Sequence, residues 1–354
     1  MCIRDRSYIL TGLTPKTKYS VSIYNGDVKR GTRTFTTTES YPAGYDIVNV
    51  SDADMLNDIF ANPANYIQDN GGNVVLVFAN GSTTDYMGES MELTIPADFK
   101  SVIFWGESGD TKPVFMPKGL SMAGSHDLIR FYNLDLQNTS SANDYIVNFN
   151  VEGTVGEILI DNCNISKTRG VVRVQSDGAK GSIGSINIDN CVLTDIGSYG
   201  VLQTKVSGFT LNSVSLSNST VNTLSAGGVL VTQQNNVHIS IDACTFYNCV
   251  ATGKSFIDIN KMSNVTVDVK NTIIGQLYSY TAESTIKATS VKGIATTTNL
   301  FTTTDCPYNS GYEWGEILSV SSTELFVNPA EGDFHIQSAS QSSVAGAGDP
   351  RWNE

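Results

Sequence analysis

Charge and histidine are both scarce in this chain: charged residues make up 16% of its 354 positions, and there are three histidines. His126, His238 and His335 are scattered and have neither H-E-x-x-H nor triad spacing, so no sequence signature of a histidine-held zinc ion or a hydrolytic triad is present. G-x-S-x-G, the P-loop and the dinucleotide fingerprint are absent too, which removes the usual marks of an esterase nucleophile and of nucleotide phosphates. No Asp-Asp dipeptide occurs, and this lowers a glycoside hydrolase built on adjacent paired acids. No apolar run approaches the roughly 20 residues of a spanning helix. Basic residues are outnumbered 22 to 35, for a formal charge of −13. The imbalance is uneven. Residues 1–38 hold seven Lys/Arg and two Asp/Glu, or +5, which leaves 15 against 33, or −18, for residues 39–354. Nucleic acid and anionic membrane are therefore poor partners for the body of the chain, because phosphate binding needs a basic surface.

Against these absences stands a repeat. The pattern apolar–x–apolar–x–Asn occurs at Ile129/Phe131/Asn133, Ile158/Ile160/Asn162, Ile186/Ile188/Asn190, Val214/Leu216/Asn218 and Val267/Val269/Asn271, with a degenerate copy at Ile239/Ile241/Ala243. Its fifth position recurs at spacings of 29, 28, 28, 25 and 28 residues, and Val102/Phe104/Gly106 precedes it in register. A fixed period with period-2 alternation means one β unit per repeat, stacked on its neighbours. A second apolar segment lies in each repeat: Ile146–Asn150, Val171–Val174, Val201–Thr204, Val229–Thr232, Phe256–Ile259 and Thr285–Ala288. One coil then runs strand, Asn bend, short strand, loop, strand, loop. The Asn suits a left-handed bend, and its amide can reach the Asn one coil away across about 4.8 Å. The fold class expected is all-β, a parallel β-helix with three-strand coils of about 28 residues. Its hand is expected to be right, by the rule for parallel crossovers.

Alternation also assigns faces. Val172/Val174, Leu202/Thr204, Leu230/Thr232 and Ile257/Ile259 are expected inside, leaving Arg173, Gln203, Val231 and Asp258 as an outward column. A second column holds Arg169, Tyr199 and Lys254. Lys167, Arg169, Arg173 and Lys180 place four of the body's 15 basic residues within 14 positions, and Lys205 follows one coil on. Such a spot suits the recognition of a uronate carboxylate through Arg. Asp161 and Asp189 share a column before the bend and would repel by roughly 1 kcal/mol at about 5 Å in water. Calcium, a hard cation taking oxygen ligands, would relieve this, while solvated turn carboxylates would need nothing. Cys163, Cys191 and Cys244 share one repeat position, filled by Ser219 in the remaining coil, which reads as a buried ladder of small side chains; a disulfide between stacked neighbours stays open. Tyr278, Tyr280, Tyr308, Tyr312 and Trp314 either stack on sugar rings or pack the tail against the last coils.

The flanks divide as follows. Residues 1–6 (MCIRDR) have no apolar h-region and read as a non-native start. Leu10-Thr11-Gly12-Leu13-Thr14-Pro15-x-Thr17-x-Tyr19-x-Val21-x-Ile23 resembles the closing part of a fibronectin type III domain, so residues 7–38 are expected to be a β-sandwich fragment whose opening strands precede this chain. A linker is expected at 39–50. A capping-helix region follows at 51–72, started by the Ser51-x-x-Asp54 spacing and carrying Leu56, Ile59, Phe60 and Ile67 on one face. The β-helix should occupy 73–300, and 301–354 should form an extension packed on it.

The coil pattern resembles the pectate-lyase-like superfamily over roughly residues 45–300. The segment Leu325-Phe326-Val327-Asn328-Pro329-Ala330-Glu331-Gly332-Asp333-Phe334-His335-Ile336 is similar to the closing segment of bacterial polysaccharide-lyase-type β-helices. The end, Ala347-Gly348-Asp349-Pro350-Arg351-Trp352, resembles that of an uncharacterised family of surface proteins from polysaccharide-degrading bacteria. The resemblance implies an extracellular or cell-surface location and a polysaccharide partner, with the glycan lying over the sheet that carries Arg169, Tyr199, Arg173, Gln203, Lys205 and Asp258. Binding of a polysaccharide within a glycan-utilisation system is the first functional expectation. A calcium-dependent lyase is the second, cleaving uronate-containing glycans by β-elimination with Arg173 or Lys254 as base and calcium at acids such as Asp161 and Asp189. A non-catalytic structural or adhesive rod is the third.

Overall fold

The computed structural model describes residues 10–353 except 16, 38, 69, 90, 91, 175–178, 226, 260 and 261. The chain divides into two units, 1–45 and 46–354. In the first unit, strands Lys18–Asn25 and Val28–Thr36 form an antiparallel hairpin, with Tyr19 stacked on Phe35 at 5.9 Å. The expected non-native start, residues 1–6, lies outside the described residues.

The second unit is a parallel β-solenoid of about nine turns with a period of about 28 residues and few helices. The first strand of each coil pairs in parallel with the next. The series begins Asp46–Val50, Asn73–Phe78, Ser101–Gly106 and Gly124–Tyr132, and runs on to Ala295–Thr302. Asp46–Val50 lies within the stretch expected as linker and is the first rung of this sheet. The inward side chains of the repeat, Ile129/Phe131, Ile158/Ile160, Ile186/Ile188, Val214/Leu216, Ile239/Ile241 and Val267/Val269, are all buried in one continuous core.

At the first bend, Asn133, Asn162, Asn190, Asn218, Ala243, Asn271 and Asn299 all adopt positive φ between 45° and 56°. The amides form a ladder: Asn162 Nδ2 donates to Asn133 Oδ1 at 3.1 Å, Asn190 to Asn162 at 3.4 Å, and Asn299 to Asn271 at 3.0 Å. Two rungs divert to the preceding carboxylate, Asn218 to Asp189 at 2.7 Å and Asn271 to Asp242 at 2.9 Å. The second diversion occurs where Ala243 offers no amide. Ala243 also pays the Cβ penalty of a left-handed residue, about 1–2 kcal/mol. Ala243→Asn is therefore expected to stabilise the solenoid by about 1 kcal/mol, measured as a higher thermal-unfolding midpoint; an unchanged or lower midpoint would show that this bend is not under strain.

The residue after each bend continues the ladder inside. Leu134 N donates to Cys163 Sγ at 3.5 Å, Cys191 N to Ser219 Oγ at 3.0 Å, and Cys244 N to Thr272 Oγ1 at 3.4 Å. The cysteines at this position are free and buried, and burial pushes the Cys163 thiol up to about 12 and that of Cys244 further, so they are small packing groups.

Helix Ala53–Ala61 buries Leu56, Ile59 and Phe60, and Phe60 packs at 5.7 Å on Phe99 and edge-on at 6.5 Å on Phe104. The helix thus lays its apolar face on the first coils, as a cap must. Its N-cap is Asp52, whose Oδ1 accepts from Met55 N at 2.9 Å, so the expected Ser51-to-Asp54 capping box does not form. At the other end a second core gathers Tyr247, Ile273, Phe301, Phe326, Phe334 and Val344 beneath the tail. Residues 348–352 then run along four successive coils. Gly348 N donates to Asn271 O at 2.9 Å, and Asp349 N to Thr245 Oγ1 at 2.9 Å. Buried Asp349 Oδ2 accepts from Thr220 Oγ1 at 2.7 Å, and Arg351 Nη2 donates to Asn190 Oδ1 at 3.1 Å. Among the described residues no helix is long and apolar enough to cross a membrane.

Candidate functional site

The third strand of the coil presents the outward column expected from alternation. Asn148, Arg173, Gln203, Val231 and Asp258 are register partners in successive strands, while Val172, Val174, Leu202, Leu230 and Ile257 point into the core. The neighbouring column places Tyr145 against Gly170 and Gly170 against Gly200. Gly170 is small for a reason: a Cβ there would lie 2.7 Å from Tyr199 Cβ and 3.5 Å from the Tyr145 ring. Its hydrogen makes room for two rings that meet edge-on at 5.4 Å.

Two guanidinium groups stack on those rings. Arg169 Cζ lies 4.4 Å from the Tyr199 ring centre, and Arg173 Cζ lies 4.8 Å from Tyr145 and 5.6 Å from Tyr199. A cation over an aromatic face is attracted by the ring quadrupole. The contact also orients the planar group, and a guanidinium is the side chain best suited to meeting a carboxylate.

Arg173 is held further by Nη1 donating to Asn148 Oδ1 at 2.9 Å. The same Asn148 donates through Nδ2 to Glu92 Oε1 at 2.7 Å, and Asn150 Nδ2 donates to Glu92 Oε2. Glu92 belongs to an earlier coil and reaches Asn148 over Gly119. A Cβ at Gly119 would meet Asn148 Cβ at 3.2 Å and Glu92 Oε1 at 3.3 Å, and the residue has φ +114°. Desolvation holds the Glu92 carboxyl above its ordinary range; the Asn148 and Asn150 amides and the charge of Arg173 pull it back in part, and Asp144 pushes the same way as burial. Burial likewise raises Tyr145, against the pull of Arg173 and Arg169. Beside Arg173, Gln203 is 7% exposed, and its Oε1 has no hydrogen-bond partner among the described residues.

Of the residues expected at a site, the structure brings together Arg169, Tyr199, Arg173 and Gln203. It leaves three apart. Lys205 is exposed at the strand end, and Asp258 sits three strands along the column from Arg173. Lys254 is exposed at the Gly253 turn, also three coils away, about 14 Å at the spacing of parallel strands. No single substrate carbon can face both Arg173 and Lys254 as alternative bases. Sequence reading missed Glu92, Tyr145, Asn148 and Asn150. Extending the outward column one coil back from Arg173 would have found Asn148; nothing local marks Glu92.

Asp161 and Asp189 are register neighbours as expected, and protein groups relieve their repulsion. Asp161 takes a two-pronged ion pair from Arg130, Nε to Oδ1 at 2.9 Å and Nη2 to Oδ2 at 2.7 Å, and both side chains are largely buried. Asp189 Oδ1 accepts from Ser217 Oγ at 2.6 Å and Asn218 Nδ2 at 2.7 Å. The stacked carboxylates therefore already have donors in place of a calcium ion. Among the described residues no group of three or more His, Cys, Asp or Glu is arranged to hold a metal.

Residues 239–352 match a family described as a domain of unknown function, DUF5123. The match takes in the last coils and the whole clamping tail, and it ends before the strands that carry Arg169, Arg173 and Tyr199 in the other direction. Comparison with curated proteins gives no match to the chain.

Proposed function

We propose that the solenoid binds an acidic polysaccharide across the face carrying Arg169, Tyr199, Arg173 and Tyr145, as a secreted or cell-surface component of a glycan-utilisation system. The observation that carries this reading is the interleaving of two guanidinium groups with two tyrosine rings on the outward side of the sheet. On a body of net charge −18 this is a local cationic reader, suited to carboxylates spaced along a sugar chain. An extracellular setting also fits the finer resemblances, to the pectate-lyase-like β-helices and to fibronectin type III modules. In support of the second, the Tyr19 hydroxyl accepts from the backbone N–H of upstream Thr14 at 2.8 Å, as a tyrosine corner does.

The lyase reading is the runner-up. It needs a base close to a uronate α-proton, and Arg173 is engaged by the Tyr145 and Tyr199 rings and by Asn148, a setting that suits binding better than proton abstraction. The test is a calorimetric titration of the chain with polygalacturonate, alginate and a neutral galactan, run beside ultraviolet absorbance of the unsaturated uronate with and without calcium. Saturable binding to a polyuronate with flat absorbance is the expected result. Growing absorbance that is lost in Arg173→Ala or Lys254→Ala would establish elimination instead. Binding to none of the three would leave a structural rod.

Glu92 gives the site a pH sign. Its carboxyl titrates above the usual range because burial penalises the anion, and an anionic ligand nearby raises it further. As pH falls through that raised value, a negative charge beside Arg173 is lost while uronate carboxylates are still ionised. Polygalacturonate affinity is thus expected to rise on mild acidification, and Glu92→Gln should hold it at the higher level across the range. A calorimetric series that shows falling affinity on acidification would exclude this arrangement of charges.

A further inference from the structure

A second concave site lies far along the chain, where the tail folds back. It is a cavity of about 300 Å³ lined by His335, Gln341, Val344, Gly346, Trp352 and Asn353, among others. From these residues we infer a pocket for a single neutral sugar ring, separate from the arginine–tyrosine face.

The aromatic wall is fixed from several sides. Trp352 Nε1 donates to Thr220 Oγ1 at 2.7 Å, and the indole meets Phe334 edge-on at 5.5 Å and His335 at 5.3 Å. Such anchoring lets the indole receive a ligand without an ordering cost. It is half-buried and borders the cavity, so part of its surface remains open. The imidazole is fixed as well: Asp333 Oδ1 faces His335 Nδ1 at 2.6 Å, which commits that nitrogen and leaves Nε2 for other partners. Gln341 and Asn353 are exposed at the rim and add amide donors and acceptors.

An apolar flat wall facing an imidazole and amide groups matches a pyranose, which has an apolar C–H face and a rim of hydroxyls. Asp333 is engaged by His335, and Asp349, behind the indole, by Thr220 and Arg351. Among the described residues no Lys or Arg lines the cavity. The imidazole of His335 is already matched by Asp333, so an acidic sugar meets no uncommitted cationic side chain in this lining, and the chemistry favours a neutral one. The volume is at the lower end of small-molecule sites and holds one ring, so a dissociation constant on the order of millimolar is expected.

Tryptophan fluorescence reads this pocket selectively. Trp105 and Trp314 are buried, at 4% and 6% exposure, leaving Trp352 as the accessible indole. The full chain would be titrated with the methyl glycosides of galactose, glucose, rhamnose, N-acetylglucosamine and galacturonic acid. A saturable change with at least one neutral glycoside is expected, and none with the galacturonide. His335→Ala and Gln341→Ala should each weaken it roughly fivefold, the value of one hydrogen bond, with the thermal midpoint checked to show an intact fold. Arg173→Ala should leave it unchanged. A flat response to all neutral glycosides overturns the inference. So does a response that survives both rim variants, or one given only by the galacturonide.

Discussion

Phe104→Ala is expected to cost the solenoid about 3–5 kcal/mol, the range for truncating a buried phenylalanine, with the loss concentrated in its first coils. Phe104 is fully buried and is the hub of an aromatic column. It stacks on Phe131 at 4.9 Å and 10°, on Phe115 at 5.4 Å and 16°, and lies 6.3 Å from Phe78 and 6.5 Å from Phe60 of the capping helix. Aromatic pairs add roughly 0.5–1.5 kcal/mol each beyond area burial, so the upper half of the range is the better expectation. Because each coil touches only its neighbours, the damage should stay local: the coils next to the helix should open before those under the tail. Hydrogen exchange read peptide by peptide is the measurement. Phe104→Leu should recover most of the protection. A uniform loss of protection from Asp46 to the tail would refute the nearest-neighbour picture, and unchanged protection in Asn73–Phe78 would show that the column is not the glue between cap and coils.

The second large effect is on binding. If the outward face reads uronates, Arg173→Ala should weaken polygalacturonate binding by about 100-fold. The variant loses a charge-assisted contact worth roughly 1.5–3 kcal/mol and also unseats the arrangement built around Arg173. Arg173 links Tyr145, Tyr199 and Asn148, and Asn148 in turn holds Glu92. Arg173→Lys should recover little, since an ammonium neither stacks as a plane nor forks onto a carboxylate. Lys254→Ala, three coils away, should change the affinity less than threefold for a short oligogalacturonate. Equal losses at Arg173 and Lys254 would mean that charge in general, and not this cluster, attracts the ligand; an unaffected Arg173→Ala variant would end the proposal.

How much of this was readable beforehand follows from the range of each contact. The bends were legible because Asn at a left-handed position is a local requirement, repeated at a fixed spacing. The inward and outward faces were legible because alternation is local too, and Arg173 and Gln203 fall where parity puts them. Tyr199 was placed beside Arg169 by the repeat alone. Glu92 was not legible, since it meets Asn148 and Asn150 across 56 and 58 residues through the gap left by Gly119. The partner of Asp161 was hidden for a similar reason: Arg130 lies 31 residues earlier and reaches its neighbour's carboxylate diagonally across the sheet. Asp46–Val50 escaped notice because five residues without the bend motif carry too little pattern to be told from a linker.

The run Gly348–Trp352 fastens onto the bends of four coils, from Asn271 back to Asn190. A stack of coils with a free end unzips one layer at a time, each layer yielding at a small force. Here the last layers are riveted to one strap, so tension applied at the carboxyl end meets Asp349, Arg351 and Trp352 together and must shear them before any layer can peel. That end of the solenoid should thus yield in one abrupt event, as a latch does.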